Sequence, residues 1–290
     1  MTSPKILLFG RTGQVGWELR RTLAPLGRLV CVDYPEADFT NPDSIQQWMT
    51  DTSPDIVVNA AAYTAVDKAE SEPALAMKIN GEAPGVMADE AKKRGALLVH
   101  YSTDYVYEGT KSSPYTENDT TNPQGAYART KLAGDRAIQQ VDGDHLIFRL
   151  CWVYGARGSN FMLTMQRLAR EREKLRVVAD QIGCPTWSRL IAETTALALR
   201  QVCLSGRVPK GVYHLCAAGQ TSWHGFAQAI IDLMPPEEKK CREVEAITSV
   251  EFSTPTKRPA YSVMSCAKLE RTFGLRLPDW HDSLRQVLEK

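Results

Sequence analysis

The start of the chain places an apolar strand, a glycine-rich turn and a helix in immediate succession. Lys5–Phe9 is a short apolar run, and a helical pattern begins at Trp17. Between them stand Gly10, Gly13 and Gly16, spaced as GxxGxxG. Glycine allows a tight turn and a close approach of the backbone to a ligand, and the N-terminus of a following helix offers N–H groups to phosphates. This order of elements predicts a dinucleotide-binding loop at the start of a βαβ unit.

Strand and helix patterns then alternate through the first third of the chain. Further apolar runs lie at Arg28–Asp33, Asp55–Asn59 and Ala96–Val99, with longer polar and helical stretches between them. Such alternation predicts a doubly wound parallel α/β sheet, a Rossmann fold, whose ligands bind beyond the carboxyl ends of the strands. We expect residues 1–150 to form an NAD(P)-binding domain. Residues 151–290 are expected to form mainly a smaller mixed α/β substrate-binding lobe, with some elements returning to the sheet.

Thr103, Tyr127 and Lys131 are the candidate catalytic residues. Thr103 ends an apolar strand, and Tyr127 and Lys131 lie four positions apart in a helical pattern, which puts both on one face. A free phenol has a pKa of about 10, and an ammonium one helical turn away is expected to lower it and make Tyr127 a general acid–base. Any amphipathic helix can carry such a pair. The catalytic interpretation therefore depends on the convergence of this pair with the glycine loop at one edge of the sheet.

Charges near the second strand leave the choice between NADH and NADPH open. Asp33 ends that strand, where a carboxylate can accept both ribose hydroxyls of NAD and repel a 2′-phosphate. Arg11, inside the glycine loop, can instead pair with such a phosphate. The simpler alternative is that Asp33 caps a strand end and Arg11 is a solvated loop charge. Asp38 and Phe39 follow at a position suited to flank an adenine.

Composition excludes several other classes of function. The 35 Lys and Arg residues nearly balance the 34 Asp and Glu residues, which gives no argument for binding nucleic acid or a membrane surface. The seven cysteines are dispersed without CxxC spacing, as expected of reduced thiols in a cytoplasmic protein. No cluster has the spacing of metal ligands, so no metal is predicted. No signal peptide and no apolar run of about 18 residues is visible, so we expect a soluble protein.

Several motifs together resemble the extended short-chain dehydrogenase/reductases and, within them, the dTDP-4-dehydrorhamnose reductases. They are Gly10-Arg-Thr-Gly13-Gln-Val-Gly16, Asn59-Ala-Ala-Ala62, Ser102-Thr-Asp-Tyr-Val106, Tyr127-Ala-Arg-Thr-Lys131 and Trp152-Val-Tyr154. The resemblance implies that NADPH or NADH reduces C4 of a 4-keto sugar nucleotide. It also implies that Tyr127 donates the proton, Lys131 binds the nicotinamide ribose and Thr103 hydrogen-bonds the reacting oxygen. After Arg258-Pro259 the chain departs from the usual asparagine–serine pair and reads Ala260-Tyr-Ser262.

The glycine pattern and the resemblance together give the full set of expected contacts. The cofactor-binding residues are Gly10, Gly13, Gln14, Val15, Gly16, Asp33, Asp38, Phe39, Ala62, Tyr63, Thr64, Tyr101, Tyr127 and Lys131. The residues expected to bind the nucleotide-sugar substrate are Thr103, Asp104 and Trp152. Dimers are common in the class, which makes a homodimer an expectation by analogy alone.

Two alternatives to the reductase stay open. The first is another enzyme of the extended class, either a reductase of a different nucleotide sugar or an epimerase that retains NAD. The second is a binding protein without turnover, as in the NADP-binding regulatory subunit of methionine adenosyltransferase. Retention of NAD through purification distinguishes the epimerase from a reductase with exchangeable cofactor.

Overall fold

Parallel strands and helices alternate through the N-terminal half of the protein, as the sequence pattern predicts. The computed structural model describes residues 3–289. The elements of this half are β1 (Lys5–Phe9), α1 (Gln14–Thr22), β2 (Arg28–Val32), α2 (Pro42–Thr52), β3 (Ile56–Asn59), a 3-10 turn (Lys68–Glu70), α3 (Pro73–Met77), a π-helical turn (Lys78–Glu82), α4 (Ala83–Arg94), β4 (Leu97–Thr103), a 3-10 turn (Asp104–Val106), α5 (Ala126–Val141) and β5 (His145–Leu150).

Shorter strands and five further α-helices make up the described part of the C-terminal half. Its elements are β6 (Val153–Tyr154), α6 (Phe161–Glu171), β7 (Lys174–Val178), β8 (Ile182–Gly183), β9 (Thr186–Trp187), α7 (Ser188–Ser205), β10 (Gly211–His214), β11 (Thr221–Ser222), α8 (Trp223–Asp232), a 3-10 turn (Pro236–Glu238), β12 (Glu243–Ile247), α9 (Ala267–Phe273) and α10 (Trp280–Leu288). No helix within residues 3–289 is both long enough and apolar enough to cross a membrane.

The central sheet has six parallel strands in the order β2–β1–β3–β4–β5–β10. β2 lies on one side of β1 and β3 on the other, so the winding direction reverses between them. At such a reversal the loops after the two strands diverge and open a crevice at the carboxyl edge of the sheet, where ligands bind. The fold is therefore the doubly wound α/β sheet that the sequence predicts.

Strand side chains alternate between two apolar layers. Ile6 and Leu8 face the layer that contains α1 and α7, whereas Leu7 and Phe9 face the layer that contains α2, α4 and α5. All four side chains are fully buried. A parallel sheet covered by helices on both faces buries its strands completely, which is why these strands are continuous apolar runs in the sequence.

Two elements that follow residue 150 join this sheet domain. β10 hydrogen-bonds to β5 at the edge of the sheet, and α7 packs against α1. The sequence does not predict these two contacts. The hydrophobic period of a segment indicates whether it is a helix or a strand, but it does not indicate which element the segment packs against.

The sequence interpretation missed the parallel pair formed by β7 and β12. Its strands carry charged side chains, and the Lys174 ammonium pairs with carboxylates of Glu243 at 2.9 Å and Glu245 at 3.0 Å. Partners so distant in sequence leave no local signal. Helix α2 ends at Thr52, where Ser53 terminates it in a left-handed conformation with φ of 42°.

A buried ion pair links α5 to the sheet. Nε and one terminal nitrogen of Arg149 each lie 3.3 Å from Oδ2 of Asp135, which also accepts a hydrogen bond from the Ser102 hydroxyl at 2.9 Å. Arg149 donates further to the Tyr107 hydroxyl at 2.8 Å. Asp135 is fully buried and Arg149 is 4% exposed, so each charge depends on the other for stabilisation.

We expect Arg149→Met to lower the free energy of unfolding by about 3–5 kcal/mol, because it leaves the Asp135 carboxylate buried without its cation. The matched control is Arg167→Met, which breaks an exposed i,i+4 pair with Glu171 and should cost less than about 1 kcal/mol. Urea unfolding followed by circular dichroism measures both. Equal losses in the two variants would contradict the assignment of Arg149 as a stabilising residue.

Candidate active site

The glycine loop after β1 is packed tightly against the turn after β3. Gly10 has φ of 83°, and a Cβ atom there would lie 2.5 Å from the backbone nitrogen of Ala61. A Cβ at Gly16 would lie 1.9 Å from the Gly10 carbonyl oxygen. Only glycine is compatible with both contacts. Helix α1 begins at Gln14 after the cap residue Gly13, so its first N–H groups lack helical partners and face the crevice edge.

Asp33 and Arg11 both lie at the carboxyl end of β2, but they are not paired with each other. Oδ2 of Asp33 accepts hydrogen bonds from the backbone N–H of Thr12 at 2.8 Å and from its hydroxyl at 2.6 Å. Arg11 donates to the Cys31 carbonyl and to the Glu36 carboxylate, each at 2.8 Å. Asp33 therefore fixes the glycine loop to the end of β2, and Arg11 is a half-exposed cation already partnered by Glu36.

The two residues expected to flank an adenine have different surroundings. Asp38 accepts from the N–H and the hydroxyl of Thr40 at 2.8 and 2.7 Å, and these hydrogen bonds lower the pKa of its carboxyl group. The Phe39 ring lies edge-on to Phe9 at 5.5 Å and belongs to the buried apolar layer. Phe39 thus supports the floor of the crevice from within the core.

The turn after β3 carries Ala62, Tyr63 and Thr64. The backbone of Tyr63 exchanges hydrogen bonds with the side-chain amide of Asn80, at 2.8 and 3.0 Å. The Tyr63 hydroxyl donates to Glu72 at 2.6 Å. Ala62 is half-buried and Thr64 is exposed. The polar contacts of Tyr63 hold this turn against α3 and the π-helical turn beside the crevice.

The N-terminus of helix α5, which carries Tyr127 and Lys131, is bound by a carboxylate from the 3-10 turn Lys68–Glu70. The Glu70 carboxylate accepts from the N–H of Ala126 at 2.7 Å, which satisfies one free donor at the helix N-terminus and is favourable to the helix dipole. A Cβ at the cap residue Gly125 would lie 2.6 Å from the methyl group of Thr256. The start of the helix is thus fixed between Glu70 and a segment of the C-terminal half.

Tyr127 lies in the first turn of α5, with its ring edge-on to Tyr105 at 6.2 Å. Burial raises the pKa of the Tyr127 phenol to about 12, although a hydrogen bond with Thr103 lowers it in part. The expectation that the pKa of Tyr127 is lowered was wrong, because loss of water around the phenolate outweighs the effect of the Thr103 hydrogen bond. The phenol is therefore fully protonated at neutral pH.

Lys131 is 2% exposed, one helical turn beyond Tyr127. Its Nζ donates to the Tyr101 carbonyl at 2.6 Å and lies 3.1 Å from Nε2 of His100. Burial lowers the pKa of Lys131 to about 8, against an opposing effect of Asp135. The lysine is thus anchored on the backbone of β4 at the floor of the crevice.

The side chain of Tyr101 does not reach the crevice. Its hydroxyl shares a hydrogen bond of 2.8 Å with Thr195 on α7, and its ring packs at 6.2 Å from Phe148. It belongs to the buried layer on the opposite face of the sheet from α5. The Tyr101 group that faces α5 is the carbonyl bound by Lys131, so any cofactor contact there involves backbone.

Thr103 and Asp104 follow at the end of β4. The Thr103 hydroxyl accepts from the N–H of Tyr105 at 3.2 Å, as cap of the 3-10 turn, and donates to Oδ1 of Asp104 at 3.2 Å. Oδ2 of Asp104 accepts from the Cys151 thiol at 3.1 Å. Burial raises the pKa of Asp104 to about 6, in spite of hydrogen bonds from Ser262, Cys151 and Thr103. The carboxyl group faces protein partners.

Trp152, the third expected substrate contact, is stacked inside the protein. Its ring is parallel to Trp223, with centroids 3.5 Å apart, and only 9% of the residue is exposed. Its φ of 43° is unusual for a residue with a side chain. A Cβ at Gly183 would lie 2.4 Å from the indole edge. One face of the indole is therefore already occupied by Trp223.

The structure adds two features that sequence interpretation overlooked. His100 contacts both Asn59 and Lys131 beneath the crevice, and the only sequence signal was a histidine inside an otherwise apolar strand. Arg258 pairs with Asp67 at 2.8 Å, which ties the C-terminal half to the turn after β3. No group of three His, Cys, Asp or Glu side chains within residues 3–289 is arranged to hold a metal ion.

Comparison with known proteins agrees with this geometry. The family profile described as RmlD substrate binding domain matches residues 4–290. A Burkholderia thailandensis protein named dTDP-4-dehydrorhamnose reductase is 50% identical over 283 residues, 95% of each chain. A solved dTDP-4-dehydrorhamnose reductase from Clostridium acetobutylicum is 36% identical, with a TM-score of 0.90 over 98% of both chains.

A second solved structure, from Bacillus anthracis, is a dTDP-4-dehydrorhamnose reductase in complex with NADP. It is 33% identical to this protein, with a TM-score of 0.90 over 99% of both chains. The profile and these relatives span nearly the whole chain, including the glycine loop, β4 and α5. The protein therefore belongs to the RmlD substrate binding domain family, together with the dTDP-4-dehydrorhamnose reductases.

Proposed function

We propose that this protein reduces the 4-keto group of dTDP-4-dehydro-L-rhamnose with NADPH or NADH and releases dTDP-L-rhamnose. The observation that carries the proposal is the buried Lys131 amino group, bound to the Tyr101 carbonyl one helical turn after Tyr127. A cation fixed beside a protonated phenol suits proton donation to a carbonyl, because it compensates the phenolate that forms. Relatives at 33–50% identity carry this activity in their names.

The glycine loop fits a nicotinamide dinucleotide. A Cβ at Gly13 would meet no atom closer than 3.5 Å, so the loop is open on the side where the first N–H groups of α1 face the crevice. The residues that would hold the dinucleotide are Gly10, Gly13, Gln14, Val15, Gly16, Asp33, Asp38, Phe39, Ala62, Tyr63, Thr64, Tyr101, Tyr127 and Lys131. When bound, it supplies the hydride for C4 of the sugar.

Tyr127 would donate its phenolic proton to the 4-keto oxygen. Because burial raises the pKa of Tyr127 to about 12, the proton is available throughout the neutral range. The Thr103 hydroxyl would hydrogen-bond the same oxygen. Lys131 would bind the nicotinamide ribose and stabilise the phenolate.

The remaining assignments concern the substrate and the setting of the reaction. We infer that residues 1–150 bind mainly the cofactor and that residues 151–290 form mainly the substrate lobe. Thr103, Asp104 and Trp152 would contact the sugar nucleotide. We further infer a homodimer acting in the cytoplasm, without nucleic-acid or membrane partners. Light scattering of the purified chain measures the oligomeric state.

The test of this function is product identification. Purified protein is incubated with dTDP-4-dehydro-L-rhamnose and either NADPH or NADH, and the products are analysed by chromatography and mass spectrometry. We expect dTDP-L-rhamnose together with oxidised nicotinamide. Absence of product with both nicotinamides would overturn the proposal. NAD retained through purification would point to an epimerase, and cofactor binding without turnover of any nucleotide sugar would point to a regulatory protein.

Asp33 provides a separate prediction about the nicotinamide. Asp33→Asn should raise the preference for NADPH over NADH roughly ten-fold, because it removes a carboxylate that repels the 2′-phosphate and binds the ribose hydroxyls. The amide can still accept from Thr12, so the glycine loop should remain in place. The ratio of kcat/KM for the two nicotinamides measures the change, with the exposed Asp51→Asn as control. An unchanged ratio would exclude Asp33 from the ribose site.

A further inference from the structure

His100 is an ionisable side chain in the middle of the apolar strand β4, and the reaction described above does not use it. The side chain is 1% exposed. Alternation along β4 places it on the same face as Ser102, toward α5. Its Nε2 lies 3.1 Å from Nζ of Lys131, and its Nδ1 lies 3.1 Å from Nδ2 of Asn59. His100 therefore connects the end of β3 to the lysine of the candidate site.

The direction of these hydrogen bonds follows from a fixed donor at one end. The backbone N–H of Ala61 can only donate, and it donates to Oδ1 of Asn59 at 3.1 Å. The other end of that amide, the NH₂ group, must then face His100 as a donor, so Nδ1 of the imidazole is the acceptor. A neutral imidazole with an acceptor at Nδ1 carries its hydrogen on Nε2.

The imidazole is neutral because burial lowers the pKa of His100 well below its ordinary value. With its hydrogen on Nε2, the imidazole is a donor toward Nζ of Lys131, which lies 3.1 Å away. An amine has a lone pair that accepts such a hydrogen, whereas an ammonium has none. The Nζ–H donated to the Tyr101 carbonyl at 2.6 Å is available in both forms.

We propose that His100, oriented by Asn59, donates from Nε2 to Nζ of Lys131 and thereby stabilises the neutral amine form of that lysine. His100 is a positioning residue that acts through Lys131. Every donor and acceptor in the chain from Ala61 through Asn59 and His100 to Lys131 is then satisfied. The catalytic consequence rests on the proposed function. Lys131 would change its charge within the pH range in which the reductase works, and not only at strongly alkaline pH.

The other charged and titratable groups around Lys131 act in different directions. The Asp135 carboxylate, one turn further along α5, favours the ammonium, but it is itself paired with Arg149 from β5. Tyr127, one turn earlier, is an uncharged phenol at neutral pH. From β4 the lysine meets His100 and the Tyr101 carbonyl. Replacing the neutral imidazole by another neutral side chain is therefore the substitution that can alter the charge of Lys131 without adding or removing a second charge.

The tautomer of His100 is the most direct test, and it needs no turnover. Long-range ¹H–¹⁵N spectra of the full-length protein distinguish an imidazole protonated at Nε2 from one protonated at Nδ1, with His100→Gln identifying the resonance. We expect the Nε2–H form for His100. The Nδ1–H form would overturn the proposal, since Nε2 would then accept from an ammonium.

A titration of Lys131 tests the consequence. In protein labelled with ¹³C at the lysine ε carbon, the Lys131 resonance is identified by its absence in Lys131→Arg. A glutamine at position 100 places its amide where Nε2 stands and can turn an oxygen toward the lysine. His100→Gln should therefore raise the proton affinity of Lys131 roughly ten-fold or more. An unchanged or lower proton affinity would overturn the proposal.

Asn59→Asp is the second variant, and it retains His100. A carboxylate can only accept from Nδ1, which forces the hydrogen away from Nε2 and leaves a lone pair facing Lys131. The His100 signal should change to the Nδ1–H form, and the proton affinity of Lys131 should rise. His145→Gln, a buried histidine on the adjacent β5, is the control and should leave Lys131 unchanged. If wild-type protein shows no reductase activity, the proposed function fails, while these spectra still decide the role of His100.

Discussion

Tyr127→Phe should lower the turnover number by about 10²–10⁴-fold, the range expected for loss of a general acid. Only the phenolic oxygen is removed, and the ring keeps its edge contact with Tyr105. Cofactor affinity should therefore change little. Steady-state rates with dTDP-4-dehydro-L-rhamnose measure the first effect, and fluorescence titration with NADPH measures the second.

The matched control for this variant is Tyr213→Phe. Tyr213 lies on β10 at the far edge of the sheet and is also buried. Its hydroxyl donates to the Pro209 carbonyl at 2.6 Å. Turnover should survive that substitution. A near-normal rate for Tyr127→Phe would show that another group donates the proton, and Thr103 would be the next candidate.

Lys131→Met should impair both turnover and cofactor binding. The methionine side chain is similar in length to the apolar part of the lysine side chain but carries no charge. The substitution therefore removes the cation that compensates the Tyr127 phenolate, and it removes the donor proposed to bind the nicotinamide ribose. We expect a loss of about 10²–10³-fold in turnover, as for other preorganised charge-stabilising groups. The Kd for NADPH should rise roughly ten-fold through loss of a charged hydrogen bond.

The same lysine predicts a pH dependence. Because the pKa of Lys131 is lowered to about 8, its ammonium is present below that pH and is lost as the pH rises through it. Wild-type turnover should therefore fall above about pH 8, and Lys131→Met should lack this limb. The control is Lys92→Met, which removes an exposed lysine bound to the Val141 carbonyl at 2.6 Å. Full activity of Lys131→Met would contradict the assigned role.

Local sequence patterns were sufficient to predict those parts of the site whose geometry depends on residues close together in the chain. The apolar run Lys5–Phe9 and the three glycines after it predict a strand, a turn and a helix, because each depends on neighbours in sequence. The spacing of Tyr127 and Lys131 likewise fixes their common helical face. Sheet class and the carboxyl-edge location of the site follow from the alternation of such units.

Properties that depend on distant neighbours could not be predicted. The pKa of Tyr127 is set by burial under elements from several parts of the chain, and it shifts opposite to the expectation from Lys131 alone. Trp152 stacks on Trp223, and only the folded chain brings the two indoles together. In the sequence, His100 is a single polar residue within an apolar strand, and its role depends on Asn59 and Lys131, which belong to other elements.

Deuterium transfer tests the central claim most directly. Purified protein is given dTDP-4-dehydro-L-rhamnose and NADPH deuterated at the transferable position of the nicotinamide, and the sugar product is analysed by NMR. Reduction of the 4-keto group predicts dTDP-L-rhamnose with deuterium at C4. Product without deuterium, or unchanged substrate in the presence of bound NADPH, would contradict the proposed reaction.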